Sequence, residues 1–268
     1  MTNTPTLPLA GQGALITGGG TGIGYACAKA LAEAGASVTV MGRRLDTVRD
    51  AARSLAAHTV GDARATFHAG DVTDEEHVRR AVTSAAEVGG RLGVVVAAAG
   101  TGGGAAPVTA IDTDVWRNCL DVNLTGAFLT VKHGAAAMSD GGSIVAISSI
   151  AGVLTHRMMT AYCVSKAGLE MLVRNAADDL GESGIRVNAV RPGLVPTDLA
   201  DPLAANEGIV ADYMEQMPLG RLGTTDDIAA AVRYLAGPES SWVTGQVFAA
   251  DGGHTLRRGP DLRRASRG

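Results

Sequence analysis

The sequence predicts an α/β fold built on a parallel sheet, and three observations carry the prediction. Short runs of Val, Ile and Ala alternate with longer stretches whose apolar residues recur at helical spacing, the pattern of repeated strand and crossover helix. Hydrophobic residues make up 46% of the 268 and aromatic residues only 3%, so a sizeable core has to be aliphatic. No Pro/Gly/Ser-rich linker, internal repeat or low-complexity block divides the chain, which reads as one domain over residues 1–268.

Taken in order, the strands fall at 14–17, 37–41, 65–69, 94–98, 143–147, 186–190 and 246–250. Each is a short apolar, β-branched or alanine-bearing run bounded by turn residues or by a helical stretch. Helical spacing covers 26–34, 45–57, 75–86, 115–137, 161–180 and 227–236. Thr224 with Asp227 forms a capping-box pattern ahead of the last helix, each side chain receiving an otherwise unpaired amide proton. Two stretches break the alternation. Residues 194–221, with Pro196, Pro202 and Pro218, read as an irregular excursion placed to cover a substrate beyond the strand ends. The tail 254–268 holds Arg257, Arg258, Arg263, Arg264 and Arg267 and reads as a solvated terminus.

Composition excludes several classes of function. With 23 basic against 27 acidic residues the net charge is −4, which offers no field for a nucleic-acid backbone. Cys27, Cys119 and Cys163 are odd in number, widely spaced and without a CxxC pair, so neither a disulfide framework nor a metal site is expected, and a reducing cytoplasm fits. The start of the chain has no basic-then-apolar leader, and the apolar run 94–99 is too short to cross a bilayer.

The run Thr17, Gly18, Gly19, Gly20, Thr21, Gly22, Ile23, Gly24 leaves the first strand and opens the first helix. Glycines without a β-carbon allow a tight turn and bring a diphosphate close to the amides of a helix amino terminus, whose dipole favours negative charge. The strand-turn-helix context therefore predicts a dinucleotide site. A carboxylate for the adenosine ribose is expected about 20 residues further on. The chain has instead Gly42 followed by Arg43 and Arg44, where a guanidinium can grip a 2′-phosphate. The expectation is NADP(H) over NAD(H), the bland alternative being two solvent-facing residues at a helix start. Asp71 with Val72 ends the third strand, where the carboxylate either meets adenine or caps the next helix.

Tyr162 and Lys166 stand four apart and share one helix face. Ser148 and Ser149 close the fifth strand, and thirteen residues from Ser149 to Tyr162 suffice to bring the serine and the phenol together at the carboxyl edge of the sheet.

These residues, with Asn123 in Asp121-Val122-Asn123 and Pro192-Gly193 followed by Thr197, make the chain resemble the short-chain dehydrogenase/reductase family over residues 10–253, in its shorter form and with 3-oxoacyl reductase-like members among the nearest in pattern. The resemblance implies a single Rossmann-type doubly wound domain with seven parallel strands, hydride exchange with a nicotinamide, and a homotetramer. It further implies Tyr162 as general acid/base, Ser149 as hydrogen-bond donor to the reacting oxygen, Lys166 on the nicotinamide ribose, Asn123 as a local helix distortion tied to the lysine, and Val195 and Thr197 near the carboxamide. A free tyrosine has a pKa near 10, so the Lys166 ammonium, together with the positive nicotinamide of the oxidised cofactor, is expected to lower it toward working pH. The family's usual Asn-Asn-Ala-Gly after the fourth strand is here Ala97, Ala98, Ala99, Gly100, which removes two bracing amides while Gly100 still admits the cofactor.

The substrate side offers Leu194, Leu199, Leu203, Ile209, Val210, Tyr213, Met214 and Met217 from the excursion, and Val153, Leu154, Met158 and Met159 from the loop before Tyr162. That lining suits a largely apolar ketone or secondary alcohol, including a 3-oxoacyl thioester. The rival readings are a non-catalytic dinucleotide-sensing regulator and an enoyl or dienoyl thioester reductase on the same scaffold.

Overall fold

A computed structural model describes residues 7–256. Seven strands, β1 (Gly13–Thr17), β2 (Ser37–Gly42), β3 (Ala65–Ala69), β4 (Leu92–Ala97), β5 (Gly142–Ile147), β6 (Ile185–Pro192) and β7 (Val247–Ala250), form one sheet in the order β3-β2-β1-β4-β5-β6-β7. Every neighbouring pair is parallel. Each strand was expected within two residues of its observed bounds. The central strands are apolar on both faces because both are covered. Along β1, Ala14 and Ile16 pack on one layer and Leu15 on the other, the period-two alternation of a strand.

The helices are α1 (Gly22–Glu33), α2 (Leu45–Leu55), α3 (Glu75–Gly89), α4 (Thr113–Leu120), α5 (Gly126–Ala137), α6 (Thr160–Leu180), α7 (Asp201–Ala204), α8 (Glu207–Gln216) and α9 (Thr225–Ala236). One layer buries Leu31, Val48, Leu55 and Ile228 of α1, α2 and α9. The opposite layer buries Val78, Leu129 and Leu169 of α3, α5 and α6. The capping box is present: the Thr224 hydroxyl accepts from the Asp227 amide at 3.1 Å and the Asp227 carboxylate accepts from the Thr224 amide at 2.8 Å.

The helix read over 115–137 carries a π-turn at Asp121–Thr125, between α4 and α5, where the resemblance implied a local distortion at Asn123. One expectation is corrected. The excursion 194–221 is not irregular throughout, because it holds α7 and α8, the latter capped by Asn206, whose side chain accepts from the Ile209 amide at 3.1 Å. Ile209, Val210, Tyr213 and Met214 recur at helical spacing along α8 and are half-buried, a pattern that the neighbouring Pro202 and Pro218 mask in the sequence. Among the described residues no helix is long and apolar enough to cross a membrane. The arginines of the tail lie outside the described residues.

Candidate active site

The chain order reverses between β1 and β4, and at such a switch point the loops beyond the strand ends diverge and leave a crevice. Here the crevice is a cleft of about 690 Å³. Every residue expected to touch a cofactor lines it: Gly18, Thr21, Gly22, Ile23, Gly24, Arg43, Arg44, Asp71, Val72, Ala99, Gly100, Tyr162, Lys166, Pro192, Gly193, Val195 and Thr197. Ser149 lines it too.

The glycine turn is shaped by close approach. Gly18 has φ +67°, and a β-carbon there would lie 2.8 Å from the backbone of Ala99, so the turn meets the end of β4 only through a glycine. The Thr17 hydroxyl accepts from the Ala98 amide at 3.3 Å, bracing the two strand ends where the usual asparagines are missing. Thr21, at the amino cap of α1, makes no side-chain cap, and the first turn carries no acidic residue. Its leading amides thus stay available to an anion in the cleft, and the dipole favours one. This cradle fits the diphosphate of a dinucleotide.

At the adenosine end, Arg43 and Arg44 are exposed, and neither joins an ion pair among the described residues. Arg44 occupies the amino-cap position of α2 without capping it. Of the two readings of Asp71, the helix cap fails: α3 is capped by Asp74, which accepts from the amides of Glu76 and His77 at 2.9 and 3.1 Å. Asp71 holds the following turn instead, accepting from the Thr73 amide and hydroxyl at 3.0 and 2.9 Å.

At the other end, α6 presents Tyr162 and Lys166 to the cleft one turn apart. Lys166 is buried, donates from Nζ to the Ile147 carbonyl at 2.8 Å, and lies 5.7 Å from the centre of the Tyr162 ring. The Ser149 hydroxyl accepts from the Ala151 amide at 3.2 Å. Asn123 does not line the cleft. It sits behind the cleft in the π-turn, where Oδ1 accepts from the Thr101 amide at 2.7 Å and Nδ2 donates to the Thr101 carbonyl at 2.9 Å and the Ser165 hydroxyl at 3.0 Å. Satisfying that loop peptide accompanies the break in the helix.

Burial pushes the Tyr162 phenol up to about 12, with the neighbouring Ser149 hydroxyl pulling the other way. Burial also draws Lys166 down to about 8, opposed by the neighbouring Cys119 and Glu170. Desolvation thus works against the phenolate in the cleft.

Of the expected substrate-side residues, Leu194, Leu199, Leu203, Tyr213 and Met159 line the cleft, whereas Ile209, Val210, Met214, Met217, Val153, Leu154 and Met158 do not. Met217 is buried in packing. Tyr213 makes tilted ring contacts with His156 and His254, with ring centres 6.2 and 5.1 Å away. Sequence reading missed Glu170, a buried carboxylate that binds Ser148 and Arg191. Its spacing of four from Lys166 was the available signal.

A switch-point cleft with a glycine cradle at one end and a Ser-Tyr-Lys cluster at the other defines a Rossmann-type nucleotide-binding oxidoreductase. A family model described as enoyl-(acyl carrier protein) reductase matches residues 18–255. The chain is 40% identical to cis-4-hydroxycyclohexanecarboxylate dehydrogenase of Sinomonas cyclohexanicum, over 90% of this chain and 96% of that protein. It is 35% identical to the NADP-dependent (R)-specific alcohol dehydrogenase of Lentilactobacillus kefiri, over 93% of this chain and 98% of that one. A short-chain type dehydrogenase/reductase from Mycobacterium ulcerans superimposes with a TM-score of 0.90 at 40% identity, covering 97% and 95% of the two chains. A gluconate 5-dehydrogenase from Burkholderia cenocepacia, solved with NADP and tartrate, gives 0.88 at 30% identity over 94% and 98%. The chain belongs to the short-chain dehydrogenase/reductase family.

Proposed function

We propose that the protein exchanges hydride between NADP(H) and a largely apolar ketone or secondary alcohol, with Tyr162 as general acid/base. The observation that carries this reading is the presence of Ser149, Tyr162 and Lys166 along the same cleft as the glycine cradle. A nicotinamide dinucleotide in the cleft would supply or accept the hydride and, when oxidised, add a positive charge beside the phenol. In carbonyl reduction Tyr162 gives its proton to the developing alkoxide while Ser149 donates to the same oxygen. Lys166 holds the ribose and keeps positive charge near the phenolate that results. Val195 and Thr197 orient the carboxamide, and Asn123 fixes the backbone behind the lysine. Assays of purified protein against ketones, secondary alcohols and hydroxy acids with each nicotinamide cofactor test the reading; no turnover across the panel removes it.

The preference for NADP(H) is supported by two exposed guanidiniums beside Gly42 that join no ion pair among the described residues, and by the NADP-dependent alcohol dehydrogenase among the relatives. Arg43→Ala is expected to raise Kd for NADPH about tenfold or more, the worth of a charge-assisted phosphate contact, and to leave NADH unchanged. A preference for NADH in the parent protein that survives this substitution refutes the assignment.

The description of the matched family model favours a thioester as the second reading. Including 3-oxoacyl and enoyl thioesters in the panel separates carbonyl from double-bond reduction. The whole chain is taken as one domain. Its three free thiols suit a reducing cytoplasm, and the assembly is taken to be a homotetramer, which light scattering checks.

A further inference from the structure

Glu170 is 2% exposed and lies one helical turn beyond Lys166 on α6. Its Oε1 accepts from the Ser148 hydroxyl at 2.8 Å and from Arg191 Nε at 2.9 Å, while Oε2 accepts from Arg191 Nη2 at 2.7 Å. The fork is bidentate and charge-assisted, the strongest and most directional contact available to a carboxylate. Its partners are placed tellingly. Ser148 precedes Ser149 at the end of β5, Arg191 precedes Pro192 and Gly193 at the end of β6, and Glu170 shares its helix with Tyr162 and Lys166. One side chain thus joins the three segments that deliver reacting and cofactor-facing groups to the cleft.

We propose that Glu170 is a positioning residue for the reaction: its carboxylate locks the ends of β5, β6 and α6 into one frame and, balanced by Arg191, sets the charge behind Lys166. The proposal rests on the reading of Lys166 as the cation beside Tyr162. The groups that act on Lys166 are the Ile147 carbonyl at the end of β5, the Tyr162 ring on its own helix, Cys119 of α4, and Glu170, which Arg191 pairs. Burial draws the ammonium toward neutrality, and Glu170 is the anion in contact distance of Arg191 that works against this.

Charge changes of opposite sign separate this role from simple bracing. Glu170→Gln keeps the shape but removes the anion and leaves Arg191 uncompensated, so the ammonium is lost earlier as pH rises. The alkaline limb of carbonyl reduction is expected to move down by about one pH unit. Arg191→Gln leaves the carboxylate unbalanced, which favours the ammonium, and the limb moves up by about the same amount. Arg191→Lys keeps the charge but loses the fork. Turnover then falls severalfold while the limb stays in place, and full turnover in this variant overturns the framing role. Should Glu170→Gln not fold, the two Arg191 variants still decide. The same limb is followed in NADPH binding by fluorescence, which needs no turnover. An inactive protein whose binding limb still moves in opposite directions discards the reductase reading and keeps the frame. A limb that stays put in both charge variants, or moves the same way, overturns the proposal.

Discussion

Tyr162→Phe is expected to lower turnover about a thousandfold, within the range that a positioned proton donor contributes, while cofactor affinity stays within about twofold. Phenylalanine fills the same volume on α6 and alters only the hydroxyl, so helix packing and the glycine cradle are untouched. Lys166 keeps its bond to the Ile147 carbonyl in the variant. The pH dependence follows from the direction of the phenol's shift. Burial raises it to about 12, so the protonated form needed for carbonyl reduction persists through neutral pH. Alcohol oxidation needs the phenolate, and its rate is expected to climb with pH where reduction does not. Initial rates in both directions, set beside cofactor titration by fluorescence, check the prediction. A variant that keeps turnover shows that another group carries the proton.

The fold was legible because its signals are local. A strand covered on both faces must be apolar throughout, so β1, β4 and β5 stand out as runs of Val, Ile and Ala whatever they pack against. The glycine turn and the Tyr162–Lys166 spacing are equally local. What sequence reading missed depends on partners distant in the chain. The partner that holds Asn123 in the π-turn, the Thr101 peptide, lies 22 residues away, and Glu170 acquires its meaning from Arg191, 21 residues further on. Helix α8 carries Ile209, Val210, Tyr213 and Met214 at helical spacing, a signature hidden in the sequence by the prolines on either side, Pro202 and Pro218. The shift of Tyr162 also escaped, because a sequence shows that a lysine is near but not how much water the fold removes from the phenol.

The cradle supplies the second large effect: Gly24→Ala is expected to weaken nucleotide binding more than tenfold and to destabilise the protein by about 1–3 kcal/mol. The cause is steric. A β-carbon at Gly24 would lie 2.7 Å from the Gly18 carbonyl carbon and nearer still to its oxygen, and 3.1 Å from the Gly19 α-carbon. These are backbone atoms of the turn itself and cannot swing aside, so α1 must move away from β1 and carry its leading amides out of reach of a diphosphate. Gly20→Ala supplies the contrast within the same turn. Its β-carbon meets the Thr47 methyl at 3.1 Å, a side-chain tip that yields by a few tenths of an ångström. Binding in that variant should fall only a few-fold. Titration with NADPH and thermal melting of both variants measure the two effects separately. Wild-type affinity in Gly24→Ala would show that the turn does not hold the diphosphate, whereas equal losses in both variants would mean that crowding anywhere in the loop matters more than the packing of α1 against it.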